Sequence, residues 1–83
     1  MDSAVLDRVK RVVADILQLE PESIADEARF VEDLGAKSIQ SIELVAAFEE
    51  EFDIEMDDQE ALGVKRIDKA VEFIEKALRA QHG

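Results

Sequence analysis

The stretch Asp33-Leu34-Gly35-Ala36-Lys37-Ser38-Ile39-Gln40-Ser41-Ile42-Glu43-Leu44-Val45 contains the change of backbone regime on which the fold turns. Gly35 marks a sharp reversal, because glycine reaches positive φ without a steric cost. Beyond it the apolar pattern becomes helical. Ile42, Val45, Phe48 and Phe52 step by three, three and four, with Ile39 and Leu44 beside them. The spacing predicts a helix over 38–52. Glu43 and Glu50 fall two turns apart on another face, and Glu49, Glu51 and Asp53 add charge near its end.

Toward the N-terminus, Val5, Val9, Val12, Ile16 and Leu19 form a second helical stripe, widened by Leu6, Val13 and Leu17. It predicts a helix over 3–17, capped by Asp2 or Ser3. Pro21 blocks continuation and opens a long connection over 19–37. Phe30, Val31 and Leu34 are expected to tether that connection to the core.

Toward the C-terminus, Asp57 and Glu60 have capping-box spacing ahead of a short helix over 58–62, which Gly63 stops. Ile67, Val71, Ile74 and Leu78 predict a last helix over 67–80, with no good side-chain cap in Lys65-Arg66. No strand pattern competes. The expected fold is all-α: a small four-helix bundle of three long helices and a short third one. A long loop joins the first two helices, and residues 1–83 form a single domain.

A chain of 83 residues buries a small core, too small for a deep cleft with several buried polar groups. It contains no cysteine, which excludes disulfides, thiolate metal sites and a thiol nucleophile. Thiol chemistry here must come from an attached group. Of the net charge of −11, residues 20–60 account for −13, with fifteen acidic and two basic side chains. Such a field repels nucleic acid and anionic lipid and attracts basic partners.

No segment approaches the roughly 20 apolar residues that span a bilayer, and the first residues lack a signal-peptide pattern. A soluble, cytoplasmic monomer with no stable membrane insertion is expected. The run Asp53-Ile54-Glu55-Met56-Asp57-Asp58 starts like a calcium loop. It has Asp58 where position six needs glycine and Val64 where position twelve needs glutamate, so no metal site is expected. His82, the one histidine, is expected to be disordered and inert. No acid–base pair, metal cluster or nucleophile–base set is evident, which points away from an enzyme.

Ser38 has two readings on spacing alone. It is an ordinary helix cap, or it bears a phosphoester facing the unpaired amides and positive dipole end of the helix it starts.

Phe30-Val31-Glu32-Asp33-Leu34-Gly35-Ala36-Lys37-Ser38-Ile39, followed by Ile42-Glu43-Leu44-Val45 and Glu49-Glu50-Glu51-Phe52-Asp53, resembles the acyl carrier protein family. The resemblance implies that Ser38 holds a 4′-phosphopantetheine arm, attached from coenzyme A by a phosphopantetheinyl transferase. It implies a non-catalytic carrier of acyl thioesters, moving intermediates between enzymes of fatty acid, lipid or related biosynthesis. Lys37, Gln40, Glu43, Ala46, Glu50, Asp53 and Glu55 would meet partners, the acids facing basic surfaces of acyl-processing enzymes. Ile42, Leu44, Val45, Phe48, Ala61 and Ile74 would line an acyl pocket.

The chain departs from the family pattern at Lys37, where an aspartate normally precedes the serine. Ile39 replaces a leucine, Gln40 stands at an often acidic position, and Ala46 at an often larger apolar one. A specialised carrier with dedicated partners is expected, with Lys37 pairing either the phosphate or Asp33. The alternatives are an aminoacyl, peptidyl or polyketide carrier, or an unmodified acidic helical interaction module.

Overall fold

The computed structural model describes residues 3–83. Four helices follow one another: α1 (Ser3–Leu17), α2 (Ser38–Phe52), α3 (Asp58–Leu62) and α4 (Ile67–His82). One 3₁₀ turn, Pro21–Ser23, interrupts the long connection, with Pro21 at its first position, where a missing N–H costs nothing. Asp2, one of the two expected caps of α1, lies outside the described residues. Among the described residues there is no strand, and no helix is long and apolar enough to cross a membrane.

The α1 stripe turns out to centre on Val5, Val9 and Val13, with Val12 and Ile16 only partly buried. The shift follows from packing, since α1 rests on both α2 and α4 and the residues facing both are covered most completely. Val9, Val13, Ile67, Val71 and Ile74 are fully inaccessible, each worth about 1.5–3 kcal/mol of burial. Phe48 and Phe52 of α2 and Ile24, Ala28, Phe30 and Ala36 of the connection complete this core. The connection is therefore packed, although Val31, expected as a tether, is 53% exposed.

A backbone clasp ties the connection to the start of α4. The Phe30 amide donates to the Lys65 carbonyl and the Ile67 amide to the Ala28 carbonyl, each at 3.0 Å, on either side of an antiparallel Arg29–Arg66 bridge. Arg66 caps α4 without a side-chain bond, as expected, while Asp57 caps α3 by accepting the Glu60 amide at 3.1 Å.

Helix α4 runs two residues beyond expectation. His82 is helical, and its Nε2 meets the Asp53 carbonyl. Gln81 exchanges two bonds with the Glu55 backbone, at 2.7 and 2.8 Å. The expectation of a disordered, inert His82 is thus corrected: the loop after α2 offers free backbone groups within reach of the last turn.

The C-terminal end of α2 is crowded with acids and has no basic residue of its own. Arg8 of α1 supplies the missing cation. Its Nε bonds the Glu51 carboxylate at 2.8 Å and its Nη2 the Glu51 carbonyl at 2.7 Å, while its guanidinium lies 4.4 Å from the Phe52 ring centre. A cation on the last carbonyls opposes the helix dipole favourably. Arg8→Ala is expected to cost about 1–2 kcal/mol in urea denaturation, with Arg8→Lys recovering only part because an ammonium lacks the planar fork.

Candidate functional site

Gly35 has φ +73, and beyond its own chain neighbours no atom lies within 4 Å of where a Cβ would stand. The constraint at this position is therefore backbone conformation and not space. The reversal lets the Ala36 amide donate to the Phe30 carbonyl at 2.8 Å and the Gly35 amide to the Val31 carbonyl at 3.1 Å. Ala36 is buried, and the chain then emerges as α2 with Ser38 exposed in its first turn.

Lys37, and not Ser38, holds the cap position, in extended conformation (φ −87, ψ 163). Its amide donates to Gln40 Oε1 at 2.9 Å. The Ser38 hydroxyl does not cap α2. Among the described residues, the amides of Ser38, Ile39 and Gln40 meet no acceptor. Three free donors and a positive dipole end beside an exposed hydroxyl suit an anionic ester there. Ser41, the nearest other serine, is half-buried and turns its hydroxyl back to the Lys37 carbonyl at 3.4 Å.

Asp33 holds the approach to this end. It accepts the Arg29 amide at 2.8 Å and both Nε and Nη2 of the Arg29 side chain, at 3.0 and 3.1 Å. These bonds hold its carboxyl below the usual aspartate range, the Arg29 side chain contributing most and the backbone amide next. Asp33 therefore does not pair with Lys37.

Of the residues expected to meet partners, Lys37, Glu43, Ala46, Glu50, Asp53 and Glu55 are exposed. Gln40 is half-buried, and its side chain closes the cap of α2. Glu43, Ala46 and Glu50 share the outer side of α2 with Ile39 and Ile42, which are 67% and 59% exposed.

An apolar cavity of about 60 Å³ lies between α2, α3 and α4. Leu44, Val45, Phe48 and Ala61, four of the acyl-pocket candidates, line it. Two expected residues do not. Ile74 is sealed in the core, and Ile42 points outward to a shallow groove with Val45, Ala46 and Leu62. The remaining apolar wall comes from Phe30, Val31, Met56, Leu62, Val64, Ala70 and Phe73, while Glu32, Ser41 and Lys65 provide polar lining. Phe30, Met56 and Val64 sit in connections, where no periodicity marks which side chain turns inward; Phe73 was legible only as flanking the α4 stripe. Among the described residues, no group of side chains could hold a metal ion.

The family model described as a phosphopantetheine attachment site matches residues 7–74. The acyl carrier protein of Phenylobacterium zucineum is 46% identical over 78 residues, covering 94% of this chain and 99% of the relative. That of Caulobacter vibrioides is 46% identical over 72 residues (87% and 92%), and that of Thermosynechococcus vestitus 44% over 78 (94% and 96%).

Because the folded state lowers its pKa, Asp33 contributes stability that is intact above about pH 4 and lost as pH falls through its own depressed value. The carboxyl-carbon NMR titration of Asp33 is expected to have its midpoint below the ordinary aspartate range. Arg29→Ala should raise it toward that range, with the backbone amide of residue 29 keeping part of the depression.

Proposed function

The chain belongs to the acyl carrier protein family, and on that premise we propose that Ser38 is its point of phosphopantetheine attachment. A member of this family is a carrier and not an enzyme. It interacts with a phosphopantetheinyl transferase and with acyl-processing enzymes. Once attached, the arm supplies the thiol on which acyl groups travel as thioesters, and it is a group that this cysteine-free chain lacks.

The observation that carries the assignment is the exposed Ser38 hydroxyl in the first turn of α2, beside three amides with no acceptor. Ser38 Oγ forms the new bond to phosphorus and gives up its proton, the pyrophosphate linkage of coenzyme A breaks, and adenosine 3′,5′-bisphosphate leaves. The first-turn amides of α2 face the charge left on the ester. Tethering an intermediate raises its effective concentration at each enzyme visited.

The exposed acids Glu43, Glu50, Asp53 and Glu55 support an encounter surface for basic partners. Each exposed ion pair is worth on the order of 0–1 kcal/mol, which suits brief visits. Lys37 reverses the charge that the family places beside the serine, and we read it, with Ala46, as selecting dedicated partners. The reading includes a cytoplasmic monomer. The cavity beside α2 is the place for the acyl chain. Its volume of about 60 Å³ holds only a few water-sized groups, so a longer chain must move the flexible Met56 and the partly exposed Phe73 outward.

Incubation with coenzyme A and a broad-specificity transferase is expected to add one phosphopantetheine by intact mass, and none to Ser38→Ala. An unmodified wild-type chain beside a modified standard carrier would count against the assignment. Ala61→Leu is expected to accept the arm normally. It should lose most of the rise in melting temperature that octanoyl loading gives the wild type, because the added side chain fills the cavity. An undiminished rise would place the chain elsewhere.

A further inference from the structure

Both ends of α2 carry charge of the same sign as the dipole end they meet, which is unfavourable. The first turn has no acidic residue and is preceded by Lys37, while the last turn has no basic residue and contains Glu49, Glu50 and Glu51. At the C-terminal end the mismatch is offset by Arg8, which bonds both the carboxylate and the carbonyl of Glu51. Nothing comparable exists at the N-terminal end. Among the described residues, Lys37 makes no ion pair, and the amides of Ser38, Ile39 and Gln40 meet no acceptor.

The nearby carboxylates are already engaged. Asp33 is bound three ways by Arg29, and Glu32 lies 3.8 Å from the same guanidinium. Gln40 Oε1 takes the Lys37 amide and leaves the three amides after it open. The unmodified chain thus presents a helix start with an ammonium, three free donors and no anion.

We propose that the phosphodiester rooted on Ser38 is the anion that this end lacks, and that Lys37 is the residue that positions it. This rests on the assignment of Ser38 above and deepens it. The phosphodiester carries one negative charge. Lys37, adjacent in sequence, faces it from outside the helix, while the first-turn amides face it along the axis. An aspartate at position 37 would set a like charge against the phosphate at the same helix end. Here modification completes the electrostatics of α2, so the arm's root is part of the fold and its departure direction is restrained.

The test compares apo and arm-bearing forms of the full chain with Lys37, Lys37→Arg, Lys37→Ala and Lys37→Asp. Intact mass first confirms each conversion. Failure of the wild type to convert would strike the Ser38 assignment, whereas the melts that follow address Lys37 alone.

Modification is expected to raise the wild-type melting temperature by about 2–6 °C at low ionic strength. The rise should persist in Lys37→Arg, shrink in Lys37→Ala, and vanish or reverse in Lys37→Asp. It should fade in about 1 M salt for the wild type. If Lys37→Asp fails to fold or convert, wild type against Lys37→Ala decides alone. An equal rise in both, or no rise in the wild type, overturns the proposal.

Discussion

Ala36 donates its amide to the Phe30 carbonyl at 2.8 Å, and closing that turn uses the left-handed conformation that Gly35 adopts. The N-terminal end of α2 depends on this reversal. Phe30 is pinned from its other side, its own amide held by the Lys65 carbonyl, so the turn is anchored to the start of α4. Arg29 and Asp33 close the same segment from the solvent side. A buried Ala36 and an exposed Ser38 two residues later then follow from the chain entering α2 at a fixed point and angle.

The same anchoring links the start of α2 to the cavity. Phe30 contributes to both the turn and the cavity wall, and Lys65 and Val64 reach the wall from the far side of the clasp. At the other end of α2, Gln81 and His82 hold the backbone at 53–55, next to Met56 of the same wall. The cavity is thus bounded partly by connections fastened through hydrogen bonds to their backbone and partly by side chains of α2, α3 and α4.

Much of this was legible in the sequence because the relevant signals are local. The apolar stripes, Pro21, the Gly35 reversal and the Asp57 cap each act within a few residues, and they placed α1 to α3 and the start of α4 where the structure has them. What was not legible depends on contacts between distant segments. The reach of Arg8 to Glu51, the hold of Gln81 and His82 on the loop after α2, and the removal of Asp33 from Lys37 by Arg29 are products of packing. Ile42 and Ile74 were misplaced for the same reason. An apolar residue on a helix is equally consistent with core, cavity and surface until its neighbours are known.

The central claim is that Ser38 bears the arm, and locating the arm within the chain tests it most directly. Tryptic peptides spanning 30–65 or 38–65 contain only two hydroxyl side chains, Ser38 and Ser41. Fragmentation mass spectrometry of these peptides from the modified protein is predicted to place the phosphopantetheine on Ser38 alone. An arm on Ser41, whose amide already serves the Lys37 carbonyl within the helix, or on a peptide outside this region, would contradict the account.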